Sequence, residues 1–432
     1  MNAAHIHYAV MRNYEPLPFW TGGSDLDIVI VADHEKLARS IAKEVIRNSG
    51  GVPIGIFNTV GFYKINALGK CSNSVVPEWW GVSLDFYTGV YLSGVRLLDE
   101  RVAWPLQYHN GIPVLTEGFA GVLGVLKEVF HNETLPERYA SLARKATHDW
   151  RQIEELLSPM GAPALVRLRT MLVSDVPPVS LRDECRKLRQ EIIHHFHSQQ
   201  GLRVYWQRAR SESYKVLRYV KPSGLVLAVL GVDGSGKSTV INAILPVLNS
   251  ATNKAVFVKH LRPTLLPPLA RLKGSKSRPV GPVLEPHGST PSGKLGSLFR
   301  MAYLTLDYLA GYWLWTRLKI AKQPAVVIFD RYAYDMALDP RRFRIGLSTQ
   351  VSGWFAALAP KPDLIICLQG NPEVIAARKR ELSVEETRRQ VDALRAFASR
   401  EPRAILISTD TSIEETRDMV LDAIYEYLET NR

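Results

Sequence analysis

The segment Gly231–Thr239 constrains this chain most strongly, because its sequence, Gly-Val-Asp-Gly-Ser-Gly-Lys-Ser-Thr, fits the pattern G-x-x-x-x-G-K-[ST]. The apolar run Leu225–Leu230 precedes it and predicts a buried parallel strand, and Thr239–Leu245 predicts the start of a helix. A strand, a glycine-rich turn and a helix N-terminus together form a cradle of backbone N–H groups for phosphate oxygens. We therefore expect a nucleotide phosphate site, with a chance glycine-rich turn as the alternative.

The ligands of a bound nucleotide are expected from this loop itself. Backbone N–H groups would turn inward around a β-phosphate, Lys237 would reach the β- and γ-phosphates, and the Ser238 hydroxyl would hold Mg²⁺. The complete set of nucleotide-binding candidates is Gly231, Gly234, Ser235, Gly236, Lys237, Ser238 and Thr239.

The length, charge and cysteine content of the chain indicate its number of domains, its type of ligand and its cellular compartment. Its 432 residues suggest two or three domains, and its formal net charge of +12 suits nucleotides, phosphorylated sugars, nucleic acid or an anionic membrane surface. Three cysteines, Cys71, Cys185 and Cys367, are too few and too scattered for a disulfide framework or a zinc site, which favours a reducing compartment. The first residues lack the basic and apolar regions of a signal peptide, so a cytoplasmic location is expected.

Three further segments stand out by composition. Met301–Thr316 is apolar but too short and too interrupted to span a bilayer, so a buried crossover helix is predicted and stable membrane insertion is not. Basic residues gather between Leu181 and Lys221, where a solvated face is the usual explanation. The Pro/Gly/Ser-rich span Arg262–Arg300 is too long for an ordinary connection and predicts a mobile substrate loop or disorder.

Three regions differ in their hydrophobic pattern: an α+β region over residues 1–115, a helical region over 116–220, and an α/β region over 221–432. In the first, we predict strands at Asp27–Ala32, Phe57–Ile65 and Val82–Val90 and a helix at His34–Asn48. In the second, we predict helices at Leu123–His131, Glu137–Leu157, Ala164–Val173 and Leu181–Phe196. In the third, strands at Leu225–Leu230, Ala255–Lys259, Ala325–Phe329, Asp363–Leu368 and Ala404–Ser408 alternate with helices, which predicts a doubly wound parallel sheet.

The third strand of this parallel sheet ends in Asp330-Arg331-Tyr332. An acid at the carboxyl end of a strand beside a phosphate loop is placed to hold Mg²⁺, directly or through water. Arg331 would then direct its guanidinium group at phosphate oxygens. A plain turn at the end of a strand is the alternative.

A second basic element follows in Asn371–Arg380, which predicts a capped helix that ends in basic residues. Arg378 and Arg380 are the candidates for neutralising charge on phosphates during transfer. The alternative is a surface helix whose basic end interacts favourably with the helix dipole.

Together, the loop, the Asp-Arg-Tyr strand end and the basic helix resemble the thymidylate kinase family over about Gly224–Glu429. The resemblance implies an ATP- and Mg²⁺-dependent kinase that acts on a nucleotide or another small acceptor. It also implies that Asp233 binds a hydroxyl of the acceptor and that Arg331 and Arg262 contact its phosphate. The implied catalytic group is Lys237, Asp233, Asp330, Arg331, Arg378 and Arg380.

The sequence departs from that family on the acceptor side. The residues after Tyr332 are Ala333–Arg342 in place of the family's Ser and Ala-Tyr-Gln pattern, and a long Pro-rich span follows the second strand. Tyr332 and Asp335 are candidate substrate contacts. Asp335 and Asp339 would meet a different, hydroxyl-rich acceptor or would cap the local turns, and dTMP is expected to be a poor acceptor.

The amino-terminal region carries a second candidate site. Asp25 and Asp27 stand two residues apart at the start of a strand, which places both carboxylates on one side, and Asp85 lies in a later strand. Such acids share divalent cations in two-metal chemistry. Gly22-Gly-Ser-Asp-Leu-Asp27 with the later acid resembles the nucleotidyltransferase superfamily over about residues 8–115, although that family's Gly-Ser turn stands further upstream.

These patterns leave three functions open. The first is a kinase joined to an active nucleotidyltransferase-like domain, the second is a kinase with an inactive recognition domain, and the third is a nucleic-acid-associated NTPase or toxin-like module. No recognised nucleic-acid motif supports the third, so nucleic acid is a disfavoured partner that stays open. A homodimer is a candidate assembly.

Overall fold

The computed structural model describes residues 1, 4–19, 25–71, 78–92, 94–99, 101–147, 150–173, 178–267, 290–378 and 382–431. The chain divides into two compact units. The first contains Met1–Ser49, Ile56–Asn66 and Val82–Val220, and the second contains Gly50–Gly55, Ala67–Gly81 and Lys221–Arg432. The predicted division at residue 115 stays a prediction. The compact unit that contains the first strands extends to Val220.

The amino-terminal strands form a seven-stranded sheet in the order β3-β4-β5-β2-β1-β9-β8. Its strands are β1 (Tyr8–Val10), β2 (Leu26–Ile30), β3 (Gly51–Thr59), β4 (Phe62–Cys71), β5 (Glu78–Tyr87), β8 (Leu106–His109) and β9 (Ile112–Leu115). The short strands β6 (Tyr91–Leu92) and β7 (Val95–Arg96) pair separately. Strands β2 and β5 are parallel and place Asp27 directly opposite Asp85.

Helices complete the first unit. They are α1 (Glu35–Asn48), α2 (Glu117–Asn132), α3 (Glu137–Arg144), α4 (Trp150–Leu156), α5 (Ala162–Val173), α6 (Pro178–Gln200) and α7 (Arg203–Val220). Their apolar faces share one core with the sheet, in which Leu115, Phe119, Leu168 and Leu188 are almost completely buried. Packing of these faces into one core stabilises the helices beyond what their own backbone hydrogen bonds provide.

Two of the predicted elements are each divided in the structure. The single strand predicted over Phe57–Ile65 spans the end of β3 and the start of β4, because the chain turns at Val60-Gly61, where Gly61 has a φ of 73°. The single helix predicted over Glu137–Leu157 is interrupted by a 3₁₀ turn at Lys145–Thr147. Apolar spacing continues through both interruptions, so the pattern alone does not reveal them.

The second unit contains a five-stranded sheet in the order β11-β12-β10-β13-β14, in which every neighbouring pair is parallel. Its strands are β10 (Leu225–Gly231), β11 (Val256–His260), β12 (Val326–Asp330), β13 (Leu364–Gln369) and β14 (Ala404–Ser408). All five strands of the parallel sheet were predicted from the sequence, and their bounds agree within one residue at each end.

Helices pack on both faces of this sheet. They are α8 (Lys237–Thr252), α9 (Lys294–Gly311), α10 (Arg317–Lys322), α11 (Asp335–Leu338), α12 (Thr349–Ala357), α13 (Pro372–Arg378), α14 (Val384–Ala398) and α15 (Ile413–Asn431). Alternate residues of β10 point to the two faces: Leu227 packs with α8 and α15, whereas Ala228 packs with α9. The mixed α/β architecture with a central parallel sheet therefore agrees with the sequence pattern.

The apolar stretch Met301–Thr316 forms the second half of α9 and a π-helical segment, Tyr312–Thr316, as the predicted crossover helix requires. In the described parts of the chain, no helix has the length and apolarity needed to cross a membrane. Of the Pro-rich span that follows β11, residues 268–289 lie outside the described residues. The three cysteines are free thiols; Cys185 and Cys367 are buried and Cys71 is exposed.

Candidate phosphate-transfer and metal sites

The glycine-rich loop joins the end of β10 to the start of α8. Gly234 and Gly236 have φ values of 90° and 85°, which residues other than glycine rarely adopt. A Cβ on Gly231 would lie 2.5 Å from Ser235 Oγ and 3.0 Å from the Leu368 carbonyl oxygen, so only glycine fits there. The buried Ser235 hydroxyl has no hydrogen-bond partner among the described residues. The loop is therefore compact and lined by polar groups that are available to a ligand.

Lys237 is buried at the first position of α8 and folds back into the loop. Its Nζ donates to the carbonyl oxygens of Gly231 and Val232, at 2.8 and 2.9 Å. Burial, reinforced by the nearby charge of Arg331, lowers the pKa of Lys237 to about 8. Ser238 and Thr239 are exposed in the same first turn of the helix. A phosphate that enters the loop would thus meet a helix N-terminus and an ammonium group whose hydrogen bonds go to two neutral carbonyls, with the Asp233 carboxylate 3.8 Å away.

Asp330 ends β12 beside this loop, in register with Val229 of β10 and His260 of β11. Its Oδ2 lies 2.9 Å from His260 Nδ1, and its buried Oδ1 has no hydrogen-bond partner among the described residues. Burial alone would raise the pKa of Asp330, but the His260 hydrogen bond and the Lys237 charge lower it. An ionised carboxylate with one free oxygen is a suitable ligand for Mg²⁺ or for its bound water. The sequence did not reveal His260.

Arg331 adopts a φ of 77°, a left-handed backbone conformation that is uncommon for a residue with a side chain. Its N–H donates to the Val229 carbonyl oxygen at 3.0 Å, and its guanidinium group is almost completely buried. Both of its charged partners are acids: Asp233 in the loop and Asp335, at 3.3 Å. A conformation of this kind costs about 1–3 kcal/mol, so the surrounding contacts hold the Arg331 side chain in this position.

Asp233 connects the phosphate loop to two arginines. It forms ion pairs with Arg331 and Arg342, and Lys237 Nζ lies 3.8 Å away. Burial alone would raise the pKa of Asp233, but these cations outweigh it and hold the pKa well below its usual range. The sequence did not identify Arg342, because no spacing rule relates the turn after α11 to the loop after β10.

Arg262, at the end of β11, also meets an acid. Its Nη1 lies 3.0 Å from Asp307 Oδ2, and the completely buried Asp307 also accepts a hydrogen bond from the Leu266 N–H at 2.6 Å. The charge of Arg262 is therefore compensated inside the protein. Asp307 was visible in the sequence only as an interruption of an apolar stretch.

Tyr332 and Asp335 support the strand end from within the fold. Tyr332 is 1% exposed, and its hydroxyl donates to the Pro360 carbonyl oxygen. Asp335 accepts a hydrogen bond from the Tyr332 N–H at 2.9 Å, and burial raises its pKa against the opposing effect of Arg331. The observed roles of both side chains are structural, and contact with a substrate stays a prediction.

The predicted basic helix corresponds to α13. The Asn371 side chain accepts a hydrogen bond from the Glu373 N–H at 2.9 Å, which is the expected N-terminal cap. Arg378 is the last residue of α13 and is exposed, whereas Arg380 lies outside the described residues. The role of these arginines as cations over the phosphates stays a prediction.

In the first unit, Asp25, Asp27 and Asp85 come together. Each offers a carboxylate oxygen, and these atoms all lie within 4.8 Å of one another. The parallel register of β2 and β5 produces this arrangement because it places Asp27 opposite Asp85. Asp27 is 1% exposed, and its Oδ1 has no hydrogen-bond partner among the described residues. The Gly22–Ser24 part of the predicted motif lies outside the described residues.

Two cations of the chain neutralise part of this cluster. Arg12 forms an ion pair with Asp27 and donates to the Tyr139 hydroxyl at 2.7 Å. Lys64 Nζ lies 2.9 Å from Asp85 Oδ1. Burial raises the pKa of Asp85 to about 6, although Lys64 opposes that shift. Neither cation was predicted. The spacing of the three acids in the sequence does not indicate which other segments lie next to them in the fold.

Comparisons with known proteins add little to this geometry. No protein-family model and no curated protein matches the chain. Among solved structures, a thymidylate kinase from Ehrlichia chaffeensis is similar, with a TM-score of 0.33 and 15% sequence identity, over 46% of this chain and 98% of that chain. At this identity and TM-score, the similarity determines neither the fold nor the activity of the chain.

Proposed function

We propose that the second unit is an ATP- and Mg²⁺-dependent phosphotransferase. The observation that carries this proposal is the position of Asp330, which ends the strand next to the one that leads into the glycine-rich loop and whose Oδ1 has no hydrogen-bond partner in the described part of the chain. A nucleotide-binding loop beside an ionised strand-end carboxylate is the arrangement that phosphate transfer to an acceptor requires.

In this proposal the loop N–H groups and Lys237 bind the phosphates of ATP, after Lys237 leaves its two backbone carbonyl partners. Ser238 and Asp330 are the residues that would hold Mg²⁺, which supplies charge neutralisation to the transferring phosphate. Arg378 would add positive charge from α13. Each of these residues acts by binding and orientation, and none forms a covalent bond to the phosphate.

The acceptor in this proposal is a small molecule that presents an uncharged hydroxyl group. Arg331 and Arg262 are the two arginines expected to hold an acceptor phosphate. Arg331 already pairs with the carboxylates of Asp233 and Asp335, and Arg262 pairs with the carboxylate of Asp307. A phosphate ester would have to displace those carboxylates, which costs free energy because they are buried. A hydroxyl group would instead donate a hydrogen bond to Asp233 without separating the ion pairs. A nucleoside monophosphate such as dTMP is therefore disfavoured.

The replacement Lys237→Ala tests the phosphotransferase. It removes the ammonium group that would contact the β- and γ-phosphates, so binding of Mg–ATP should weaken at least tenfold, in line with charge-assisted hydrogen bonds of about 1.5–3 kcal/mol. Titration calorimetry with Mg–AMPPNP measures this directly and needs no acceptor. Lys254→Ala, at an exposed lysine after α8, is the matched control. Equal nucleotide affinity in all three proteins would contradict the proposal.

A second candidate function belongs to the first unit. The convergence of Asp25, Asp27 and Asp85 supports a divalent-metal site and, through it, nucleotidyl transfer. Arg12 and Lys64 oppose this, because they already neutralise two of the three acids. A unit that binds a metal or ligand without catalysis is the simpler form of this candidate.

A further inference from the structure

Helix α7 and the residue before it carry an exposed apolar stripe, the α7 stripe, which we define as Leu202, Tyr205, Trp206, Val216 and Leu217. Leu202 and Trp206 are 80% and 79% exposed, and the other three side chains are more than half exposed. Soluble surfaces carry single exposed apolar side chains routinely, but a line of five on one element indicates a binding surface.

The stripe follows one face of the helix. Its members recur at spacings that return to the same side of an α-helix, and the small residues Ala209 and Ser213 lie on that side between them. With a rise of about 1.5 Å per residue, the stripe extends along about 20 Å of α7. The apolar side chains thus form two groups on one side of the helix, one at each end, with the small Ala209 and Ser213 between them.

The opposite face of α7 attaches the helix to the first unit. Val204 is buried there, and the Arg218 guanidinium group lies 4.1 Å from the centre of the Phe57 ring and donates to the Asn58 carbonyl oxygen at 3.3 Å. The unit therefore holds the helix by one side and leaves the α7 stripe facing solvent.

Basic side chains border the α7 stripe on both sides. By helical position, Arg203 and Arg210 lie along one border, and Arg208 and Lys215 lie along the other; all four are exposed. The acid on this part of the surface is Glu212, which pairs with Lys215 at 2.7 Å. An apolar stripe between two basic borders is the pattern of a helix that lies in the plane of an anionic lipid surface.

We propose that α7 binds an anionic membrane surface, with the α7 stripe in the boundary between head groups and acyl chains. Trp206 and Tyr205 combine an apolar ring with a polar group, which favours this boundary. Lys215 is compensated by Glu212, so the attraction to acidic lipids comes from Arg203, Arg208 and Arg210, and the net charge of +12 acts in the same direction. Association of two copies through this face would bring like-charged borders together, and a nucleic acid would not bury the apolar side chains.

Flotation with lipid vesicles tests this proposal on the full chain. The protein should bind vesicles of phosphatidylcholine with phosphatidylserine and should not bind vesicles of phosphatidylcholine alone. The double variant Trp206→Ser/Leu217→Ser should reduce partitioning into the acidic vesicles at least tenfold, because it removes two of the large apolar side chains of the α7 stripe. Trp354→Ser, at a tryptophan that is 62% exposed on α12, is the matched control and should bind normally.

Each other outcome overturns the proposal. Absence of binding to acidic vesicles, or equal binding to neutral ones, removes the lipid partner. Binding that the double variant retains shows that another surface is responsible. If the wild type sediments as a dimer and the double variant as a monomer, the α7 stripe is a contact between copies.

A folding control accompanies these measurements. Thermal unfolding of the double variant should match the wild type, because both replaced side chains are exposed.

Discussion

At the scale of single residues, the candidate phosphate-transfer site is governed by paired charges. Arg331 is shared by Asp233 and Asp335, and Asp233 is shared by Arg331 and Arg342. Removal of one member of a buried pair leaves an uncompensated charge, which is a larger effect than the loss of the pair itself. The affinity of this site for anions should therefore respond strongly to neutral replacements of its acids.

The replacement Asp335→Asn should strengthen the binding of an anion at Arg331. It leaves an oxygen that accepts from the Tyr332 N–H but removes one of the two negative charges that compensate Arg331. We expect inorganic phosphate to bind the Mg–AMPPNP-loaded variant about tenfold more tightly than the wild type, measured by titration calorimetry. Asp392→Asn, on the surface of α14, is the control. Conversion of dTMP to dTDP by the wild type would contradict the proposed uncharged acceptor and would leave the phosphotransferase itself in place.

Single residues also mark the limit of prediction from the sequence. The loop motif predicts Lys237 and the strand pattern predicts Asp330, because each pattern places a residue within its own loop or strand. The partners of the charged groups are not predicted in this way: His260, Arg342 and Asp307, which contact Asp330, Asp233 and Arg262 respectively, come from distant segments that only the folded chain brings near. A buried charge requires a partner, but the sequence does not state which one it is.

At the scale of elements, the glycine-rich loop depends on the close approach of two strands. Strand β10 is paired with β13 so that Gly231 lies opposite Leu368. This pairing leaves no room for a side chain at Gly231, so packing requires a glycine there. Gly234 and Gly236 are required for a different reason, which is their positive φ. Continuous apolar runs revealed the strands of this sheet, because strands buried on both faces need no alternation.

The replacement Gly231→Ala should disturb the loop and leave the sheet folded. Its methyl group would lie 2.5 Å from Ser235 Oγ, so the loop must shift. We expect a loss of about 1–3 kcal/mol in the free energy of unfolding and at least a tenfold weaker affinity for Mg–AMPPNP. Gly353→Ala is the control, because a Cβ there meets no atom within 4 Å and α12 should become more stable. An unchanged nucleotide affinity in Gly231→Ala would show that the loop is not the binding site.

At the scale of the whole molecule, the two candidate sites belong to separate compact units. The phosphate loop, Asp330 and Asp233 all lie in the second unit, and Asp25, Asp27 and Asp85 all lie in the first. The parallel sheet of the second unit was predictable because its loop motif and its alternation of strands and helices indicate the same fold. The first unit was less predictable, because its antiparallel and parallel pairings combine in one sheet and the acid spacing does not specify the strand order.

Separate units predict separate responses to mutation. The double replacement Asp25→Asn/Asp27→Asn should abolish divalent-metal binding by the first unit, because it removes two of the three carboxylates and leaves Arg12 without its charged partner. The same variant should keep its affinity for Mg–AMPPNP within about twofold, since the replaced acids and the phosphate loop belong to separate compact units and share no partner residue. Titration with Mn²⁺ in the absence of nucleotide measures the first effect, with Asp33→Asn as the control. If Mn²⁺ binds the wild type and the double variant equally, the acids hold no metal, and Arg12 and Lys64 are their only counter-charges among the described residues.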